Sequence, residues 1–219
     1  MLSQVQAHIF DFDGTIADSM WVWERVDTQF LENHGLPYRP DYAEALAALG
    51  FEGSAEFFIN EVGIDETPEE MIAQWQQMAT HLYAEEVMLK PGVKEYLHEL
   101  KEAGAPLAIA TSLQRQMLEP ALKNNGVFEL FDAIHVCEEI CSTGKSTPVV
   151  YEHTAASLGV ELDACAVYED VAIAARSARE GGAVVVGVRD DHPQQNRPEL
   201  LKASHLFIDS FEELLSATR

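Results

Sequence analysis

Asp11 and Asp13 flank a phenylalanine directly after the apolar run Ala7–Phe10, and Glu169-Asp170 closes another apolar run that begins at Ala164. Thr111-Ser112 ends a third run, and Lys145 sits in the loop that follows a fourth. Carboxylates gathered in one place repel and raise one another's pKa unless a cation neutralises them, and an all-oxygen set of Asp and Glu suits a hard ion such as Mg2+. Hydroxyls and an ammonium facing the same place suit a phosphoryl group. A single Asp after a strand reads simply as a helix N-cap. Coordinated placement at four strand ends points instead to one crevice.

The elements that must create that crevice follow from periodicity. Short apolar runs at Ala7–Phe10, Leu107–Thr111, Ile134–Val136, Ala164–Tyr168 and Ala183–Val188 predict buried strands, and a last strand-helix pair follows from Leu206. Helical stretches to about Ala103 and over Arg115–Asn124, Pro148–Leu158 and Val171–Glu180 alternate with them. Repeated βα units imply a parallel sheet covered on both faces, with ligands beyond the carboxyl ends of its strands. Between the first strand and the rest the pattern changes. Asp18–His34, Arg39–Leu49, Ser54–Val62 and Pro68–Glu86 are all of helical length and separated by glycine-bearing breaks. The predicted architecture is therefore α/β, a Rossmann-like parallel sheet core over residues 1–16 and 90–219, with an inserted α-helical domain over 17–89.

DFDGT at Asp11–Thr15, Thr111-Ser112, Lys145 within GKSTP, and YEDVAIAARSAREGG at Tyr168–Gly182 resemble the four motifs of the haloacid dehalogenase-like (HAD) superfamily. The helical insertion is similar to the cap of the subfamily containing phosphoglycolate phosphatase and β-phosphoglucomutase. The resemblance implies an Mg2+-dependent phosphatase of a small phosphorylated metabolite, working through an aspartyl-phosphate. Asp11 is then the nucleophile and Asp13 the general acid and base. Thr15 helps to orient Asp13 and joins Thr111, Ser112 and Lys145 around the phosphoryl group, Lys145 also balancing charge on Asp11. The metal ligands are Asp11, the Asp13 carbonyl, Asp170 and Glu169, the last directly or behind the others. Departures from the family pattern are Ser146 and Val149 after the lysine, and Val171 and Ala174 after the acidic pair.

Two alternatives accompany that reading, a β-phosphoglucomutase-like phosphotransferase and a catalytically silent binding protein of the same fold. Retention of every charged motif residue argues against the silent protein. A mutase needs a cationic cap group for its second phosphate. Residues 18–89 contain 15 acidic residues and only two basic ones, Arg25 and Arg39, and Gly50-Phe51-Glu52-Gly53 stands where such mutases carry an arginine. The absence of lysine there disfavours phosphonate cleavage through a Schiff base, and the presence of Asp13 disfavours dehalogenation.

Composition excludes other classes. With 219 residues, 47% of them hydrophobic, the chain can bury a core of its own. A formal net charge of −23 repels nucleic acid and anionic membranes. No basic segment precedes the first apolar stretch and no run approaches the ~18 apolar residues of a membrane span, so the expected location is cytoplasmic. Cys137, Cys141 and Cys165 read as free thiols, without partners at zinc-finger spacing. GKST at Gly144–Thr147 lacks the first glycine of a P-loop, Glu139 standing there. The eight histidines show no paired metal spacing and read as surface or capping residues. Met20, Trp23, Val26 and Phe30 form one apolar helix face, read as bundle core.

Overall fold

The run Ala-His-Ile-Phe is buried at all four positions and forms β1 (Ala7–Phe10), a central strand of a six-stranded sheet in the computed structural model, which describes residues 2–46 and 49–215. The other strands of this sheet are β4 (Leu107–Thr111), β5 (Ala133–Val136), β6 (Cys165–Glu169), β7 (Val184–Val188) and β8 (Leu206–Ile208). Their order is β5-β4-β1-β6-β7-β8, every pairing parallel, so the protein is α/β. β4 and β6 are buried along their whole length, as strands covered on both faces must be. Phe10 pairs with Ile109 on one side and Tyr168 on the other, so residues just past β1, β4 and β6 emerge at one edge of the sheet.

Connecting helices are α5 (Val93–Glu102), α6 (Arg115–Asn124), α7 (Cys137–Ile140), α8 (Val149–Ser157), α9 (Ala172–Glu180) and α10 (Arg197–Ala203). Side chains alternate across the strands. Ile9, Val167 and Val185 pack with Val150 and Tyr151 of α8, Ala175 and Ala178 of α9, and Leu200 of α10. On the opposite face, Phe10 and Tyr168 stack with ring centroids 4.3 Å apart, and Tyr96 of α5 and Phe211 complete that layer. His8 lies there too, 4% exposed, which corrects the expectation that every histidine is a surface or capping residue. α7 and α10 were not expected. Each is at most seven residues long, too short for a periodic signal. The strand at Leu206 is followed, over the described residues, by a 3-10 turn at Phe211–Leu214 in place of the expected helix.

Backbone contacts divide the chain into two units, Met1–Met20 with Val87–Arg219, and Trp21–Glu86. In the first unit a short antiparallel ribbon joins β2 (Ala17–Asp18) to β3 (Met88–Leu89). Asp18 is thus extended, not helical as expected, and the first helix begins only at Val22. The second unit contains α1 (Val22–Asn33), α2 (Pro40–Leu46), α3 (Phe51–Phe57) and α4 (Pro68–Glu85). A π-helical turn at Phe58–Val62 ends on Gly63 with φ 85°, replacing the continuous helix expected through Val62. Residues 47 and 48 of the expected Arg39–Leu49 helix lie outside the described residues. The core of this unit is aromatic: Phe30 meets Trp75 and Phe58 at 5.4 and 5.7 Å between centroids, and Trp23 meets Phe51 at 5.4 Å. α4 starts from a reciprocal cap in which Thr67 and Glu70 bond each other's backbone amides. Among the described residues no helix is long and apolar enough to cross a membrane.

Candidate active site

The β1 backbone ends when Asp11 N–H donates to the Tyr168 carbonyl at 3.1 Å, leaving the Asp11 carboxylate at the sheet edge, 6% exposed. β6 delivers Glu169 and Asp170 beside it, and one oxygen from each of the three carboxylates lies within 4.8 Å of the others. Lys145 reaches this cluster from the loop before α8, donating to Asp11 Oδ1 and, at 2.7 Å, to Glu169 Oε1. The same Glu169 oxygen accepts from the Tyr151 hydroxyl at 2.5 Å.

One ammonium facing three buried carboxylates leaves the cluster electrostatically unbalanced, and the pKa directions show it. Burial alone lowers Lys145, but Asp11 and Glu169 outweigh that and hold its ammonium above the ordinary lysine range. Burial pushes Glu169 up against the pull of Lys145, and Asp11 pushes it further. Asp170 stands well above the usual carboxylate range, first through burial and then through repulsion by Asp11 and Glu169. Glu169 Oε2 is buried without a hydrogen-bond partner among the described residues. Stranding a carboxylate oxygen in this way costs about 1–3 kcal/mol or more. The orphan oxygen, the convergence of three hard donors and their mutual repulsion together fit a divalent cation bound by Asp11, Glu169 and Asp170.

Asp13 lies on the tight turn after β1. Its Oδ1 accepts from Ser19 Oγ at 2.6 Å, and the amides of Thr15, Ile16 and Ala17 all converge on the Phe12 carbonyl. Gly14 takes φ 68°, and a Cβ there would also overlap the Asp170 carboxylate, so two separate constraints require glycine. Thr15 is fully buried, and its hydroxyl donates to Asp170 Oδ1 at 3.0 Å. The one hydroxyl proton of Thr15 is thus committed to Asp170 rather than to Asp13. Thr111, buried at the end of β4, accepts the Leu113 amide at 3.1 Å and shapes the turn that presents Ser112. Ser112 is exposed, its hydroxyl 3.6 Å from the Cys137 sulfur. Burial pushes the Cys137 thiol up.

Of the residues read from sequence, the structure brings Asp11, Lys145, Glu169, Asp170 and Thr15 together, places Thr111 at the end of β4 and carries Asp13 and Ser112 on the turns just past β1 and β4. Tyr151 and Ser19 are additions that sequence reasoning missed. A polar hydroxyl among the apolar residues of α8 was the available signal for Tyr151. No local signal marked Ser19, whose approach to Asp13 depends on the ribbon between β2 and β3.

Comparison with known proteins agrees with this geometry. The family model described as haloacid dehalogenase-like hydrolase matches residues 8–188. The validoxylamine A 7'-phosphate phosphatase of Streptomyces hygroscopicus subsp. limoneus is 26% identical over 84% of this chain and 85% of its own length. The hexitol phosphatase B of Escherichia coli O157:H7 is 28% identical over 96% and 95%. Among solved structures, a Thermotoga maritima protein provisionally named a beta-phosphoglucomutase superposes with a TM-score of 0.85 at 22% identity, covering 97% of this chain and 98% of that one.

Proposed function

Because the chain belongs to the haloacid dehalogenase-like hydrolase family, we propose that it is a phosphomonoesterase that hydrolyses a small phosphorylated metabolite through an aspartyl-phosphate on Asp11. The observation that carries this reading is the Lys145 ammonium shared by Asp11 and Glu169, with Asp170 in the same buried cluster. Asp11 attacks phosphorus in line, so that the bond from its carboxylate oxygen forms as the ester P–O bond breaks. Asp13 gives a proton to the departing oxygen. It then takes one from the water that attacks the acyl phosphate, which releases inorganic phosphate and regenerates Asp11. Thr111 and the Ser112 backbone amide hold phosphoryl oxygens, and Lys145 keeps a positive charge beside them throughout. Ser19 positions the Asp13 carboxyl and Thr15 positions Asp170. Asp11, Glu169 and Asp170, with the Asp13 carbonyl, would hold Mg2+, which when bound supplies the positive charge that lets a phosphate dianion approach these carboxylates.

The substrates proposed are polyol or sugar monophosphates, on the strength of the names of the two phosphatase relatives. Hydrolysis is favoured over mutase transfer because residues 18–89 carry only two basic residues, Arg25 and Arg39, against 15 acidic ones, with Gly50-Phe51-Glu52-Gly53 where such mutases carry an arginine. Arg39 is moreover paired with Asp41 at 2.7 Å. The decisive experiment incubates the protein and Asp11→Asn with a panel of such monophosphates, with Mg2+ or with chelator. Phosphate release by the unaltered protein in Mg2+ is expected to fall at least about a thousand-fold in the variant and on chelation, with an acid-stable phosphoryl group trapped only on Asp11. Phosphate trapped on another residue, or full activity after exhaustive chelation, overturns the reading. With β-glucose 1-phosphate and a trace of the 1,6-bisphosphate, free phosphate is expected and accumulation of glucose 6-phosphate is not.

A further inference from the structure

The loop that follows β7 has no part in the four motifs, yet its side chains fasten two of the backbone segments on which the carboxylate cluster is built. The Gln195 carboxamide uses all its groups on main chain. Its Nε2 donates to the Asp170 carbonyl and to the Val188 carbonyl, each at 3.0 Å, and its Oε1 accepts the Asp190 amide at 3.0 Å. One planar group thereby ties the residue after β6 to the end of β7. Close by, Asp190 Oδ2 accepts from Lys90 at 2.7 Å, and the same ammonium donates to the Arg189 carbonyl at 2.8 Å and to the Gly14 carbonyl. Asp190 is in turn oriented by the His192 amide at 2.7 Å. The Lys90 and Asp190 side chains are only 14% and 6% exposed, so this pair is protected from solvent screening.

These contacts meet at one place. Gly14, which carries no side chain to wedge it, lies directly against the Asp170 carboxylate. Holding the Asp170 carbonyl from one side and the Gly14 carbonyl from the other keeps the two segments in register. We infer that Gln195, supported by the Lys90–Asp190 pair, is a positioning residue that presets the Asp170 carboxylate for the cation. This inference rests on the divalent-cation reading of the cluster. Partners that orient a metal ligand without touching the metal typically matter by 10–100-fold in affinity.

The test is direct Mn2+ binding to the resting protein, followed by electron paramagnetic resonance or calorimetry without substrate, with thermal unfolding recorded in parallel. Gln195→Glu keeps the length and the acceptor but turns lone pairs towards both carbonyls, and is expected to weaken Mn2+ binding at least ten-fold. Lys90→Met is expected to act in the same direction. Gln194→Ala, on the exposed neighbour in the same loop, is expected to leave the affinity unchanged. If Gln195→Glu unfolds, Gln195→Asn, whose carboxamide is one methylene too short to span the same carbonyls, serves in its place with the same expectation. Unaltered Mn2+ affinity in a folded Gln195 variant overturns the inference and leaves the cation reading intact. Failure of the unaltered protein to bind Mn2+, or binding that survives Asp170→Asn undiminished, overturns the cation reading and this inference with it.

Discussion

Two buried polar clusters grow from the same pair of strands, β1 and β6, and they are built on opposite principles. At the carboxyl ends, Asp11, Glu169 and Asp170 face one Lys145, with an oxygen of Glu169 left unpaired. Within the sheet on the other face, His8 Nδ1 and the Tyr168 hydroxyl share a hydrogen bond of 2.8 Å, and Tyr168 shares another of 2.7 Å with Tyr96. Burial holds the His8 imidazole down at about 4, so this second cluster is neutral near pH 7. Its polar groups hydrogen-bond one another. The first carries more negative charge than its own residues can balance. Buried polarity therefore marks a site for chemistry here only where charge and hydrogen bonding are left incomplete.

Removing the Lys145 ammonium should produce the largest effect that separates the clusters. Lys145→Met strands two buried carboxylates, and a loss of about 3–5 kcal/mol in unfolding free energy is expected from breaking such a group. Chemical denaturation in chelator measures it, and catalysis is expected to fall with it by at least about a hundred-fold. An equally stable variant would mean that the carboxylates are already neutralised by protonation, and the contrast between the clusters would collapse.

The neutral cluster has its own pH signature. His8 is protonated below about 6.5 when unfolded and only below about 4 when folded, so the unfolded chain binds the extra proton between those values. The stability contributed by a neutral His8 is thus present above pH 6.5 and lost as pH falls towards 4, by up to about 3 kcal/mol. Thermal unfolding of the protein and of His8→Asn across this window should show a shallower acid dependence in the variant. Identical slopes would remove His8 as the cause. The smallest change expected is Tyr96→Phe, which takes away one hydroxyl and leaves the bond between Tyr168 and His8. It should cost about 1 kcal/mol in unfolding free energy with no change in phosphate release. A fall in turnover would show that the two clusters are coupled across the sheet.

The strand ends are legible in the amino-acid sequence because each apolar run is short and followed at once by polar residues. Asp11, Glu169 and Thr111 can be placed at one edge from the parallel arrangement alone, since neighbouring parallel strands point the same way. Lys145 is harder to place, coming from a loop, and its meeting with Asp11 rested on the resemblance. Thr15 is close to Asp13 in sequence, but its hydroxyl donates to Asp170, 155 residues further along the chain, a partner that local sequence could not show.

Local sequence thus determined what depends on periodicity and on residue type: the six strands of the main sheet and the longer helices between them, the carboxylates that end the strands, and the glycine in the turn. It could not show Ser19 on Asp13, Tyr151 on Glu169, or Gln195 and Lys90 on backbone carbonyls, because these contacts join loops and helices whose separation is set by packing. The Lys90 ammonium reaches Asp190 across a hundred residues of chain, and a side-chain bond to a main-chain carbonyl leaves no mark on the sequence that supplies the carbonyl. Only the assembled sheet, by fixing where every strand ends, decided which of the many polar residues in this acidic chain meet.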